Sequence, residues 1–127
     1  MRSRETLLRL HRFRTEEKRR QVADMEFMIQ DFMRKYEELD AQMKFQESLN
    51  GVTDPSHFNY SLAAKAARGR RDNLMRSIAE LRDQLADAQA ALIHEEQELR
   101  RVEMLAEKDQ QGAASAMPLA AAAQGMR

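Results

Sequence analysis

The chain has 127 residues, 33% of them charged and 6% aromatic, with no Trp, no Cys, four Gly and two Pro. So much charge and so few aromatic side chains exclude a layered core and predict an elongated α-helical chain. The lack of Cys excludes a disulfide framework, a thiolate zinc site and a cysteine nucleophile, and it fits a cytoplasmic protein.

The formal charge is zero but unevenly spread. Residues 1 to 20 carry eight basic and three acidic side chains (+5), residues 65 to 76 five and one (+4), and the remainder eight and seventeen (−9). Two basic segments therefore sit on an otherwise acidic chain. The opening MRSRETLLRLHRFR has the basic, amphipathic look of an organelle presequence. It runs straight into EEKRR, however, with no cleavage-like break and no apolar h-region. No stretch approaches the roughly 20 apolar residues of a membrane span, and MPLAAAA near the end is too short, so a soluble protein without membrane insertion is expected.

Within residues 7 to 22, LLRLHRFRTEEKRRQV, the leucines stop and no large apolar side chain follows Phe13 until Val22. From there the period is clear. Val22, Met25, Ile29, Phe32, Tyr36, Leu39 and Met43 alternate spacings of three and four, the a/d seam of a coiled coil. A second seam runs Tyr60, Ala64, Ala67, Arg71, Leu74, Ile78, Leu81, Leu85, Ala88, Leu92, Glu95, Leu99, Val102, Ala106, in which only Arg71 and Glu95 are not apolar. Between them, in SLNGVTDPS, Asn50-Gly51 can take positive φ and Asp54-Pro55 can supply an N-cap followed by proline at the first helical position. Gly69 lowers helix propensity by roughly 1 kcal/mol relative to Ala, yet the seam passes it unbroken.

These signals predict an all-α fold, a long two-helix antiparallel coiled-coil hairpin: a helix over 3–49, a loop over 50–55, a helix over 56–109, and a disordered Ala-rich tail over 110–127. At 1.5 Å per residue the hairpin would be roughly 70 to 80 Å long. The seams align if partner numbers sum to about 103, which sets Met25 against Ile78, Tyr36 against Ala67, Thr15 against Ala88 and His11 against Leu92. Because the two seams satisfy each other, the free chain is expected to be a monomer. The seam weakens away from the loop, and Leu7 and Leu10 lie fifteen residues before Val22 and Met25, in a phase the hairpin does not fully bury. That end is either frayed or built to dock into a partner.

Other chemistry is thinly represented. His94 and Glu98 stand at i, i+4, but HEEQE lacks the second His of a zincin helix and no third ligand is evident. There is no Gly-rich phosphate loop and no nucleophile, base and orienter set, so neither an enzyme nor a cofactor is expected. AKAARGRRDN lacks interleaved aromatics and has acidic flanks, which argues against nucleic acid. Phe45, Phe58 and Leu62 lie off the seam and gather near the loop, a cluster that suggests contact with a partner.

The opening run RETLLRLHRFRTEEKRRQVADME, the turn DPSHFNY, the segment AAKAARGRRDNLMRSIAELRDQL and the ending ELRRVEMLAEKDQ resemble the flagellar export protein FliJ family, particularly the short alpha-proteobacterial forms. The likeness covers roughly residues 1 to 110. It implies a non-catalytic stalk of the type III flagellar export apparatus, similar to the stalk subunit of rotary ATPases, cytoplasmic and held peripherally at the flagellar base through its partners. Those partners would be the hexameric export ATPase, the cytoplasmic domain of the export gate, and substrate chaperones. The end away from the loop would enter the ATPase ring, with Leu7, Leu8, Leu10, His11, Phe13, Arg14, Arg100 and Arg101 in contact, while Phe45, Phe58 and Leu62 would face the gate. A self-associating coiled coil of the cell-division type and a chaperone-like adaptor for secreted proteins are the other classes compatible with such a sequence.

Overall fold

The computed structural model describes the backbone of residues 2–125 and the side chains of residues 3–112. It is an all-α hairpin of two helices, α1 (Arg2–Asn50) and α2 (Leu62–Gly125), and no strand is found among the described residues. The backbone of residues 110–125, expected as part of a disordered tail, belongs to α2, while the side chains beyond 112 and the backbone of 126–127 lie outside the described residues.

Backbone contacts divide the chain into two compact units, one of residues 1–20 and 89–127 and one of residues 21–88. In the second, Ile29, Met43, Tyr60, Ala64, Ala67 and Ile78 are buried. Val22, Met25, Phe32, Tyr36, Leu39, Leu74, Leu81 and Leu85 are half-buried along the same two lines. Two helices cannot enclose a side chain on all sides, so the core is a single file of partly covered residues and not a globular interior. Its tightest point is near the loop, where Met43, Tyr60, Ala64 and Ala67 cluster and Val52 packs on them. Ala64 is completely covered because its small side chain lets the opposite helix approach.

The connection is longer than the expected loop of 50–55, and the second helix begins at Leu62 instead of residue 56. Gly51 ends α1 at φ 72°, its N–H donating to Glu47 O at 2.9 Å, the left-handed stop anticipated for Asn-Gly. Asp54 does not cap a helix. Its carboxylate accepts from the backbone N–H and the hydroxyl of Ser56 at 3.0 and 2.8 Å, and His57 N–H closes on Asp54 O at 3.1 Å, making an isolated turn. A second turn, Tyr60 N–H to His57 O at 3.0 Å, follows before Ser61 takes the cap. Ser61 Oγ accepts from Ala64 N–H at 3.2 Å. The carboxylate that could have capped residue 56 is thus spent locally, and the next good capping side chain sets the start.

Side-chain contacts reach one seam layer beyond the pairs expected from sequence. His11 meets Glu95 where Leu92 was expected, and Arg71 lies over Tyr36 where Ala67 was expected. Every helical side chain leans toward its own N-terminus, and in an antiparallel pair the two leans add.

Two substitutions test this packing. Ile78 is 7% exposed, so Ile78→Asp would strand an unpaired carboxylate in the seam and should cost several kcal/mol. An unchanged melting temperature would contradict the seam. Gly69 sits inside α2 without positive φ, and a methyl group on its Cα would meet nothing within 4 Å. Gly69→Ala should therefore stabilise the chain by about 1 kcal/mol, read as a rise in denaturant midpoint at constant slope.

Candidate functional site

The stretch after the opening leucines holds its place by polar contacts. In the unit of residues 1–20 and 89–127, the covered line on α1 is Arg4, Leu8, His11, Thr15 and Lys18, continuing the spacing of three and four without a break. Thr15 is 0% exposed, and its hydroxyl donates to His11 O one turn back at 2.7 Å, so burial leaves no hydroxyl unsatisfied. His11 Nδ1 lies 3.4 Å from Glu95 Oε2, both side chains largely covered. Farther out, Arg4 donates to Leu105 O at 3.0 Å and pairs with Asp109 at 2.5 Å, and Arg19 reaches Glu16 at 2.8 Å and Glu96 at 3.7 Å. Arg4, Arg19 and Asp109 are exposed enough for water and salt to screen these pairs, which therefore position the helices more than they stabilise them.

The residues assigned to this end separate into two groups. His11 is inside the seam and Leu8 is half-buried there. Leu7, Leu10 and Phe13 lie outside it, Phe13 at 62% exposure, together with Arg14, Arg100 and Arg101. Arg101 pairs with Glu98 at 3.2 Å. Arg9, Arg12 and Arg14, interspersed in sequence with the three apolar side chains, have no carboxylate partner among the described residues, and Glu17, one turn beyond Phe13, has no basic partner among them either. Ile93 and Met104 are exposed apolar side chains of α2 that the sequence reading passed over, since attention to the seam hides what lies opposite it.

In the unit of residues 21–88, Phe45, Phe58 and Leu62 are all at the surface, with Phe58 at 95% exposure, and Leu49 joins them. His57 stacks on Phe58 with ring centroids 4.7 Å apart. Beneath lies a polar cluster with no signal in the periodicity. Tyr60 donates its hydroxyl to Glu47 Oε2 at 2.7 Å, both residues buried, and Arg68 Nη2 stands 3.8 Å from the same oxygen. Asn50 Nδ2 donates to Asn59 O, tying the end of α1 to the connection.

Arg71, the odd cation of the second seam, is fully occupied. Nη1 donates to Asp40 Oδ1 at 2.8 Å and to Met43 Sδ at 3.4 Å, Nε and Nη2 donate to Asp72 Oδ1 at 3.3 and 3.2 Å, and the guanidinium lies 6.0 Å from the Tyr36 ring centre. Lys44 and then Arg71 hold the Asp40 carboxyl below its ordinary range, while Asp40 raises Arg71. This cluster is an ion-paired joint between α1 and α2. Among the described residues no group of three or more His, Cys, Asp or Glu converges as a metal site, and no helix is long and apolar enough to cross a membrane.

No family model, curated protein or solved structure matches this chain.

Burial, and then the bond to Glu47, raise the Tyr60 pKa above 10.0. A group that binds its proton more tightly when folded contributes stability that is complete below the unfolded value and is lost as pH rises through the folded one. The chain should therefore lose stability above about pH 10. Tyr60→Phe should be about 1 kcal/mol less stable at neutral pH but show a smaller alkaline loss than the unmodified chain, measured by thermal melts at each pH.

Proposed function

We propose that this chain is a non-catalytic central-stalk component of a flagellar type III export apparatus. The end carrying Leu7, Leu10 and Phe13 docks in the ring of the hexameric export ATPase, and the loop end contacts the export gate and substrate chaperones. The observation that carries this reading is the split at the former end. The helices meet there along Leu8, His11 and Thr15 of α1 and Leu92, Glu95, Leu99 and Val102 of α2, while three large apolar side chains, and arginines with no carboxylate partner among the described residues, stand outside the seam. Side chains that do little to hold the hairpin are available to a partner, and large exposed apolar groups suit a buried protein contact more than free solvent. The resemblance to the FliJ family supplies the identity of that partner. In this role the chain hydrolyses nothing; it promotes ring assembly and couples nucleotide turnover to the gate.

Replacing Leu7, Leu10 and Phe13 with Ser should leave helicity nearly unchanged, since none occupies the seam, and should reduce both hexamer assembly and stimulation of ATP hydrolysis by the purified export ATPase. Reversing Arg12 and Arg14 to Glu should weaken stimulation more at low salt than at high salt, as for exposed electrostatic contacts. Ser at Phe45 and Phe58 should spare ATPase stimulation and weaken binding to the gate domain. If the leucine and arginine variants stimulate as well as the unmodified protein, the docking reading is wrong.

A further inference from the structure

The sequence holds three asparagines, Asn50, Asn59 and Asn73, followed by Gly51, Tyr60 and Leu74. An asparagine loses ammonia when the backbone nitrogen of the next residue attacks its side-chain carbonyl carbon, and a side chain on that next residue obstructs the approach. Only Asn50 is followed by glycine. Asn50 and Gly51 are both exposed to water, and the space beside the Gly51 Cα is open.

Two hydrogen bonds hold this pair where α1 ends. Gly51 N–H donates to Glu47 O at 2.9 Å, and Asn50 Nδ2 donates to Asn59 O across the connection. The attacking nitrogen and the leaving amide are thus both engaged, so ring closure requires the last turn of α1 to open first. That turn is braced from within, because the Glu47 carboxylate accepts from the buried Tyr60 hydroxyl at 2.7 Å. The joint guards its own reactive pair.

We propose that Asn50 is a site of spontaneous deamidation, guarded by the joint between α1 and the connection, and that its conversion releases this joint in one direction only. In the opened turn Gly51 N loses its proton and bonds to Asn50 Cγ, and the Cγ–Nδ2 bond breaks with Nδ2 leaving, reprotonated, as ammonia. Water then opens the five-membered imide at either carbonyl, giving aspartate or, with the chain rerouted through the side chain, isoaspartate. One water is taken up and one ammonia is lost, with no oxidant or cofactor.

Either product fits this position worse than the amide. A carboxylate has acceptors only, and here it would face the Asn59 carbonyl in place of a donated N–H. It would also stand at the negative end of the α1 dipole, where the last turn holds Glu47 and no basic side chain. Isoaspartate adds a methylene to the backbone and moves the Gly51 N–H off Glu47 O. Opening permits the reaction, and the reaction favours opening. The connection that carries the exposed Phe58 is then untied from α1.

The test incubates the purified full chain at mildly alkaline pH, in native buffer and in concentrated urea. Peptide mass mapping follows replacement of NH2 by OH at each asparagine, and enzymatic methylation counts isoaspartate. Conversion should be fastest at Asn50 in both conditions and run roughly tenfold slower in native buffer, where it waits for local opening. Tyr60→Phe, which removes the brace, should speed it in native buffer and leave the urea rate unchanged. Asn50→Asp should melt a few degrees below the unmodified chain. Asn73→Asp makes the same charge change beside Arg76, which already donates to Asn73, and should not. Conversion at Asn50 no faster than at Asn59 and Asn73 overturns the modification site. Equal rates in native buffer and urea overturn the guard, and an unchanged melting temperature for Asn50→Asp overturns the release.

Discussion

A pair of helices has a contact line and no interior, and that constraint governs everything else in this protein. A residue at a seam position is covered by one opposing helix and by its own neighbours, so even Ile29 and Ile78 keep a little exposure. With so thin an apolar contact, the polar positions along the line decide which layers meet. Arg71 and Glu95 interrupt an otherwise apolar seam, and each has found a partner on α1, Asp40 and His11. A slip by one layer would leave a guanidinium or a carboxylate facing an apolar side chain, at a cost larger than the loss of one apolar contact. The apolar residues drive association, and the paired charges select the register.

The connection obeys the same logic at closer range. Glu47 and Tyr60 are polar groups at the tightest end of the hairpin, and burying either alone would be unfavourable. Bonded to each other, they fasten the last turn of α1 to the end of the connection, two residues before α2 begins. Met43, Ala64 and Ala67 then close over that joint.

The heptad pattern made the fold and both seam lines readable from sequence, because apolar spacing at this period has one structural meaning over so many turns. The start of α2 was misread for a local reason. Asp54 before Pro55 serves equally well as a helix cap or as an Asx turn, and only the position of Ser56 and Ser61 relative to the closing helices decides between them. Thr15 was equally hard to see. A threonine amid Glu, Lys and Arg reads as surface, and it is completely covered because its hydroxyl is satisfied within its own helix. The partners of Arg71 and His11 depended on how far side chains lean, which spacing alone does not encode. The exposure of Leu7 and Leu10 was legible from their phase, which is not that of the seam. Ile93 and Met104 were not singled out, since isolated off-seam apolar residues carry no pattern until the seam itself has been located.

At the end away from the loop the half-buried Leu8, Leu92 and Leu99 and the buried Val102 share the seam with His11, Thr15 and Lys18. A run of leucines at His11, Thr15 and Lys18 would seal the helices more firmly, at about 1.5 to 3 kcal/mol for each side chain fully buried. It would also leave the two helices fixed wherever the partner meets them. Arg4 with Asp109 and Arg19 with Glu96 are exposed pairs that water can replace at little cost, so the helices can adjust locally while the covered Thr15 keeps their spacing. The large apolar side chains are then free to face outward instead of inward. In the proposed role, an end that must touch changing neighbours gains from this division: short-lived polar contacts within the hairpin, and apolar and cationic contacts reserved for the surface.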